Sequence, residues 1–89
     1  MYKVRKRDGR LTEFDLSRIS VAVTKAFVAT KTPQNPDIIN LLTLQVTADF
    51  APKVKDGEIS VEDIQDSVEA VLQRSGYAPV AKAYILYRK

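Results

Sequence analysis

The dipeptide Asp8-Gly9 constrains the fold of this chain more than any other feature. It separates two short segments of alternating polarity, residues 2–6 and 10–14, and both of its positions tolerate a positive φ. This pattern predicts a β-hairpin. Asp15 follows at once as a candidate N-cap, and apolar residues then recur at helical spacing through Phe27. The chain is therefore predicted to open with a hairpin that leads directly into a helix.

Caps and helix breakers predict the remaining elements. Asn35-Pro36 begins a second helix and Pro52 ends it. The apolar stripe of that helix is predicted to be Ile38, Leu41, Leu42, Val46 and Phe50. Glu58-Ile59 is predicted to form a third strand beside the hairpin.

Ser60 is the candidate cap of a third helix, which carries Glu62 and Asp63 in its first turn. Gly76 suits the position just after the end of the third helix, and Pro79 is predicted to begin a fourth helix. The predicted fold class is α+β: a four-helix bundle capped by a small three-stranded sheet, in the order ββα-α-βα-α. Eighty-nine residues form one domain, residues 1–89.

Positive charge is concentrated at the start of the chain. Six of its 14 Lys and Arg residues lie within the first 18 positions: Lys3, Arg5, Lys6, Arg7, Arg10 and Arg18. Strand alternation would place Val4 and Lys6 on one face, with Lys3, Arg5 and Arg7 on the other. An apolar residue beside a cation suits a base or sugar next to a phosphate. The alternative is an edge strand whose basic residues only prevent aggregation.

Several kinds of chemistry are excluded by composition. The chain has no cysteine and no histidine, so thiol, Cys/His zinc and histidine acid–base chemistry are absent. The two common glycine-rich loops that bind phosphate, Gly-x-x-x-x-Gly-Lys-Ser/Thr and Gly-x-Gly-x-x-Gly, are both absent from the sequence. The carboxylates of the third helix, Glu62, Asp63, Asp66 and Glu69, lack a His or Lys partner in a plausible catalytic geometry. We therefore expect a non-catalytic domain. No leader and no membrane-length apolar run is apparent, which predicts a cytoplasmic protein without membrane contact.

Three motifs together resemble the ATP-cone domain. The first is Val4-x-Lys6-Arg7-Asp8-Gly9-Arg10, followed by Phe14-Asp15 and Arg18-Ile19. The second is Ile59-x-Val61-Glu62-x-Ile64-Gln65-Asp66-x-Val68-Glu69. The third is Ala81-Lys82-Ala83-Tyr84-Ile85-x-Tyr87-Arg88. They cover nearly the whole chain in the order and spacing of that family, and the closing motif looks most like the anaerobic ribonucleotide reductases.

The resemblance implies a function as well as a fold. ATP-cones are regulatory domains of ribonucleotide reductases, with four helices capped by a three-stranded sheet. They bind ATP or dATP as an effector and shift the activity and oligomeric state of their host. The implied partners are therefore adenine nucleotides, with or without magnesium, the catalytic domain of a host reductase, and further copies of the chain in a ligand-dependent homo-oligomer. No catalytic cofactor is implied.

The resemblance also implies a set of nucleotide-binding residues. Val4, Lys6 and Arg7 lie where the family holds the base and phosphates, and Arg18 replaces a residue that is usually lysine. Val61 and Gln65 lie on the helix face that the family turns toward adenine. Further implied contacts are made by Asp15, Lys82 and Arg88. Thr12-Glu13 stands where the family commonly has Glu-Pro, so the carboxylate that serves the sugar or metal is displaced.

Two other functions use the same residues. The basic patch could belong to a nucleic-acid-binding module of a transcriptional regulator, but the chain lacks the Cys-x-x-Cys zinc ribbon of the known repressors. Nucleic acid is therefore not the expected partner. Alternatively, the displaced carboxylate at Thr12 would fit a degenerate cone that serves only in subunit contacts.

Overall fold

Four helices and three short strands make up residues 2–88, the part of the chain that the computed structural model describes. They follow the order β1 (Lys3–Arg5), β2 (Leu11–Glu13), α1 (Leu16–Ala29), α2 (Pro36–Phe50), β3 (Glu58–Ser60), α3 (Val61–Arg74) and α4 (Ala78–Tyr87). A short 3-10 turn, Ala51–Lys53, follows α2. The predicted α+β fold class is confirmed. None of the helices in this range is long and apolar enough to cross a membrane.

The sheet has β1 at its centre. It pairs antiparallel with β2 and parallel with β3, so the order is β2-β1-β3. Val4 lies opposite Thr12 on one side and Ile59 on the other. Val4 and Ile59 are both buried, because this face of the sheet packs on the helices. The predicted third strand beside the hairpin is confirmed.

The hairpin turn differs from the one that the sequence predicts. Only Gly9 has a positive φ, of 88°, and its amide donates to the Lys6 carbonyl. The Lys6 amide in turn donates to the Arg10 carbonyl at 2.8 Å. Arg7 and Asp8 therefore occupy the centre of the turn, and strand alternation does not extend to Arg7. The prediction that Arg7 shares a face with Lys3 and Arg5 is wrong.

The predicted helix caps are confirmed. The side chains of Asp15 and Asn35 each accept the amide two residues further on, and Ser60 accepts the amide three residues further on. Gly76 adopts a φ of 88° just after α3, and the Tyr77 amide closes the helix end on the Leu72 carbonyl. These local bonds fix where α1, α2 and α3 begin and where α3 ends.

The predicted apolar stripe of α2 is confirmed at Leu42, Val46 and Phe50 and is wrong at Leu41. Ile39, Leu42, Val46 and Phe50 are buried, whereas Leu41 is 51% exposed. The sequence offers adjacent apolar pairs at 38–39 and 41–42, so several helical stripes fit it equally well. Contacts with the other helices select one of them.

An aromatic cluster joins the hairpin to the bundle. The rings of Tyr2, Phe14 and Phe50 meet edge to face, with centroids 5.6 to 5.9 Å apart. The helices form a ring in which α1 packs against α2 and α4, and α3 packs against α2 and α4. Helices α1 and α3 lie diagonally across this ring, and the hairpin covers one end of it.

Candidate functional site

A cleft of about 420 Å³ lies under the hairpin, between the first turns of α1 and α3 and the end of α4. Its floor consists of buried apolar side chains, including Val4, Ile19, Ile64 and Val68. The volume is within the usual range for small-molecule pockets. The cleft therefore has room for the body of a nucleoside-sized ligand on an apolar surface.

The cations around the hairpin fall into two groups. Four of the six are paired with carboxylates: Lys3 with Glu13, Arg5 with Glu58, Arg7 with Glu62 and Arg10 with Asp8. Within residues 2–88, Lys6 and Arg18 have no ion-pair partner, and both line the main cleft. The cleft thus presents two cations without a direct ion-pair partner above an apolar floor.

A second cavity of about 320 Å³ adjoins the first. Arg7 and Arg88 line it, together with Lys6, Val61 and Gln65, and the last three also line the main cleft. Because Arg7 occupies the turn, its side chain reaches α3, where it donates to Glu62 at 2.6 Å and to Gln65 at 3.2 Å. The turn that strand alternation did not predict is what brings Arg7 to this site.

Arg88 is held by α3. Its side chain is only 14% exposed and donates to Asp66 at 3.1 Å, to Glu69, and more weakly to Glu62 at 3.5 Å. Burial alone would lower the pKa of this guanidinium, but the hydrogen bonds to Glu69 and Asp66 outweigh that effect and raise it. Arg88 therefore stays charged and anchors the end of α4 to α3.

Three polar residues from β2 and the cap of α1 complete the rim of the cleft: Thr12, Glu13 and Asp15. The Lys3 ammonium donates to Glu13 and holds the pKa of that carboxyl below its usual value. The Ser17 hydroxyl and amide donate to Asp15 at 2.6 and 3.0 Å and lower its pKa. Both carboxylates are therefore ionised at neutral pH.

The structure brings most of the predicted site residues together. Eight line the main cleft: Val4, Lys6, Thr12, Glu13, Asp15, Arg18, Val61 and Gln65. Arg7 and Arg88 line the adjoining cavity. Lys82 lies on the exposed side of α4 and lines neither cavity. Ten of the 11 residues thus line two adjoining cavities, although their contacts with a ligand stay a prediction.

Sequence reasoning missed two tyrosines of α4 that line the same cleft. Tyr84 is buried, which raises its pKa to about 12, while Tyr87 is 55% exposed. The Lys25 ammonium lies 5.6 Å from the centre of the Tyr87 ring. A spacing of three residues on one helix is typical of a core or an interface, and Tyr84 is indeed in the core. Only the packing of α4 against α1 places Tyr87 at the rim.

Comparison with known proteins decides the family. The profile of the ATP cone domain matches residues 2–89. This chain belongs to the ATP-cone family. The ATP-cone is a regulatory domain rather than a catalytic one, which agrees with the resemblance seen in the three motifs.

Relatives of this ATP-cone are ribonucleotide reductases. The chain is 44% identical over 89 residues to the vitamin B12-dependent ribonucleoside-diphosphate reductase of Mycobacterium tuberculosis, which covers 98% of the chain and 12% of the relative. It is 41% identical over 90 residues to the ribonucleoside-diphosphate reductase subunit alpha of Chlamydia pneumoniae, covering 94% of the chain and 9% of the relative. The anaerobic ribonucleoside-triphosphate reductase of Haemophilus influenzae is 34% identical over 90 residues, covering 98% of the chain and 12% of the relative.

The ATP-cone thus spans between 9% and 12% of the length of these relatives. An anaerobic reductase is among them, in line with the closing motif. The other two are a vitamin B12-dependent enzyme and a subunit alpha. The matches therefore establish the family across three kinds of reductase and single out none of them.

Proposed function

We propose that this ATP-cone binds ATP and dATP in the main cleft and thereby regulates a ribonucleotide reductase. The observation that carries the proposal is the pair of unpaired cations, Lys6 and Arg18, at the rim of a cleft with an apolar floor. A nucleotide needs both surfaces, since its base is apolar on its faces and its phosphates are strongly anionic.

Each part of the nucleotide has a candidate partner. Lys6 and Arg18 bind phosphate oxygens, with Arg7 and Arg88 at the adjoining cavity as further donors. Val4 and Val61 contact the faces of the adenine, and the Gln65 amide lies at the same wall.

The ribose side of the site falls to the rim residues Thr12, Glu13 and Asp15. In residues 2–88 the acidic side chains form no cluster of three that could hold a metal ion. A magnesium ion would therefore arrive with the phosphates, and Glu13 or Asp15 would be its protein contact. Thr12 carries no carboxylate, and the carboxylate of the next residue, Glu13, is paired with Lys3.

Regulation would follow from differential binding. Each nucleotide favours the assembly that binds it better, and coupling energies of this kind are typically ~1–3 kcal/mol. The partners we propose are the catalytic domain of the host reductase and further copies of the chain in a ligand-dependent homo-oligomer. The proposed compartment is the cytoplasm.

Isothermal titration calorimetry of the chain with ATP, dATP and GTP, each with and without magnesium, tests the proposal. We expect ATP and dATP to bind at micromolar concentrations and GTP to bind more weakly. The absence of adenine-nucleotide binding below millimolar concentrations would overturn it. Sedimentation velocity with each ligand tests the homo-oligomer separately.

The ion pairs around the hairpin remove the main support for the nucleic-acid alternative, which was the basic patch. A duplex or single strand needs several cations free to neutralise phosphates, yet four of the six around the hairpin already face carboxylates. The degenerate-cone alternative makes a different prediction, because Lys6 and Arg18 would then be dispensable.

A further inference from the structure

Glu62 lies between two guanidinium groups that face the adjoining cavity. Its Oε1 accepts from Arg7 Nε at 2.6 Å, and its Oε2 accepts from Arg88 Nη2 at 3.5 Å. The carboxylate is half-exposed. It thus bridges a residue of the hairpin turn to the residue that follows α4, which are 81 positions apart in the chain.

The bridge lies next to the proposed phosphate position. Lys6, Val61 and Gln65 line both the main cleft and the cavity that Arg7 and Arg88 border. A phosphate chain that extends from Lys6 therefore enters the space beside these two guanidiniums. In the free protein both guanidiniums are bonded to the Glu62 carboxylate, which itself lines neither cavity.

Of the three carboxylates bonded to Arg88, Glu62 is the one whose loss disturbs Arg88 least. Arg88 keeps Asp66 and Glu69 as partners without it, and its bond to Glu62 is the longest of the three. Arg7 has no other carboxylate partner within residues 2–88; its remaining bonds go to the Gln65 amide oxygen and the Arg88 carbonyl. Displacing Glu62 therefore leaves Arg7 without a carboxylate partner, while Arg88 keeps two.

We propose that Glu62 is an internal competitor of the effector's phosphates. It occupies Arg7 and Arg88 in the free protein, and a nucleotide must displace it to use them. The inference rests on the proposed nucleotide binding and deepens it, because it makes Glu62 weaken the binding of those ligands whose phosphates reach Arg7 and Arg88. Glu62 acts through the two arginines and is a positioning residue, with no contact of its own to the ligand.

The substitution Glu62→Gln tests this inference. Gln keeps the shape of Glu and can still accept from Arg7, but it removes the competing charge. Calorimetry with ATP, ADP, AMP and inorganic tripolyphosphate measures the effect. We expect roughly threefold to tenfold tighter binding of ATP and tripolyphosphate, in keeping with the loss of exposed ion pairs, a smaller gain for ADP, and none for AMP.

The matched control is Glu58→Gln. It makes the same change in net charge and removes a comparable ion pair, since Glu58 accepts from Arg5 at 3.0 Å, but neither residue lines the cleft or its adjoining cavity. Thermal melts of both variants report any loss of folding. The proposal is overturned if Glu62→Gln binds tripolyphosphate and ATP no more tightly than Glu58→Gln does, or if AMP gains as much as ATP.

The two proposals fail differently. If the wild type binds ATP and Glu62→Gln binds it no more tightly, the role of Glu62 is overturned but the nucleotide site is not. A gain for tripolyphosphate, with ATP and GTP bound alike, supports the role of Glu62 and removes adenine recognition. If neither protein binds any of the probes, both proposals are overturned.

Discussion

Lys6 and Arg18 differ from the neighbouring cations because neither forms an ion pair within residues 2–88. We expect Lys6→Ala and Arg18→Ala each to weaken ATP binding by about tenfold or more, since a hydrogen bond to a charged group contributes about 1.5–3 kcal/mol. Arg5→Ala is the matched control: it removes a cation next to Lys6 in the chain that is paired with Glu58 and does not line the cleft.

Calorimetry with ATP measures these effects, and thermal melts show whether the variants fold. Neither Lys6 nor Arg18 supports another described side chain through an ion pair, so both variants should melt close to the wild type. Wild-type affinity in both would favour the degenerate cone and contradict nucleotide binding at these residues.

Asp15 predicts a pH dependence of stability. The Ser17 hydroxyl and amide hold the pKa of its carboxyl below the usual 3.8. The ionised group therefore stabilises the fold fully above pH 3.8, and this contribution is lost as the pH falls through the lowered pKa. Asp15→Asn remains able to cap α1 but does not titrate.

Melting temperatures of the wild type and Asp15→Asn, compared between about pH 2 and pH 7, measure this effect. The advantage of the wild type should be constant near neutrality and should shrink only below pH 3.8. A difference that disappears between pH 5 and pH 7 would contradict this assignment, because Asp15 does not titrate there.

The individual site residues differ in how far the sequence predicts them. Val4 and Lys6 follow from strand alternation, and Arg18 follows from its position one turn beyond the Asp15 cap. Arg7 does not, because a positive φ at Gly9 alone moves Arg7 out of the strand and into the turn. The carboxylate partners of Arg7 and Arg88 lie on α3, and no local pattern shows which cations of the sequence will be paired.

At the scale of elements, helix boundaries were predictable because their determinants are local. Asp15, Asn35 and Ser60 each bond an amide no more than three residues away. The rotation of α2 about its axis was not predictable from the sequence. Ile38 and Ile39 are adjacent, and only packing in the bundle decides which of them is buried more deeply. Side-chain patterns thus predict where a helix lies in the sequence more reliably than which face it buries.

Two helix caps allow stability to be separated from binding. Ser60→Ala and Asn35→Ala should each lower the free energy of unfolding by about 1 kcal/mol, or roughly 4–8 °C in melting temperature, because each leaves a helix amide without its acceptor. Of the two helices that these residues cap, α3 contributes residues to the main cleft and α2 contributes none. We therefore expect Ser60→Ala to weaken ATP binding as well, while Asn35→Ala binds as the wild type does.

Circular dichroism melts and calorimetry on the two variants measure both quantities. Equal losses of affinity would mean that binding follows overall stability rather than the order of the first turn of α3. A loss of affinity in Asn35→Ala alone would contradict the placement of the site under the hairpin.

At the scale of the whole molecule, the site is assembled from parts that are distant in the sequence. The hairpin, α1, α3 and α4 each contribute side chains to the main cleft. The edge-to-face contacts of Tyr2, Phe14 and Phe50 hold the hairpin over the end of the bundle. The element order was therefore predictable from local patterns, whereas the cleft itself exists only when the tertiary packing is complete.

Because the cleft is absent from the unfolded chain, nucleotide binding should stabilise the fold. A ligand at a hundred times its dissociation constant adds about 2.7 kcal/mol when it binds only the native state. For a domain of this size that corresponds to a rise of about 10 °C or more in melting temperature.

Melts with ATP, dATP and adenosine measure this rise. We expect ATP and dATP to stabilise the wild type and Asn35→Ala equally, and to stabilise Lys6→Ala much less. Adenosine should have little effect, because it lacks the phosphates that Lys6 and Arg18 would bind. A rise as large with adenosine as with ATP would place the binding energy in the apolar floor and contradict the role of the two cations.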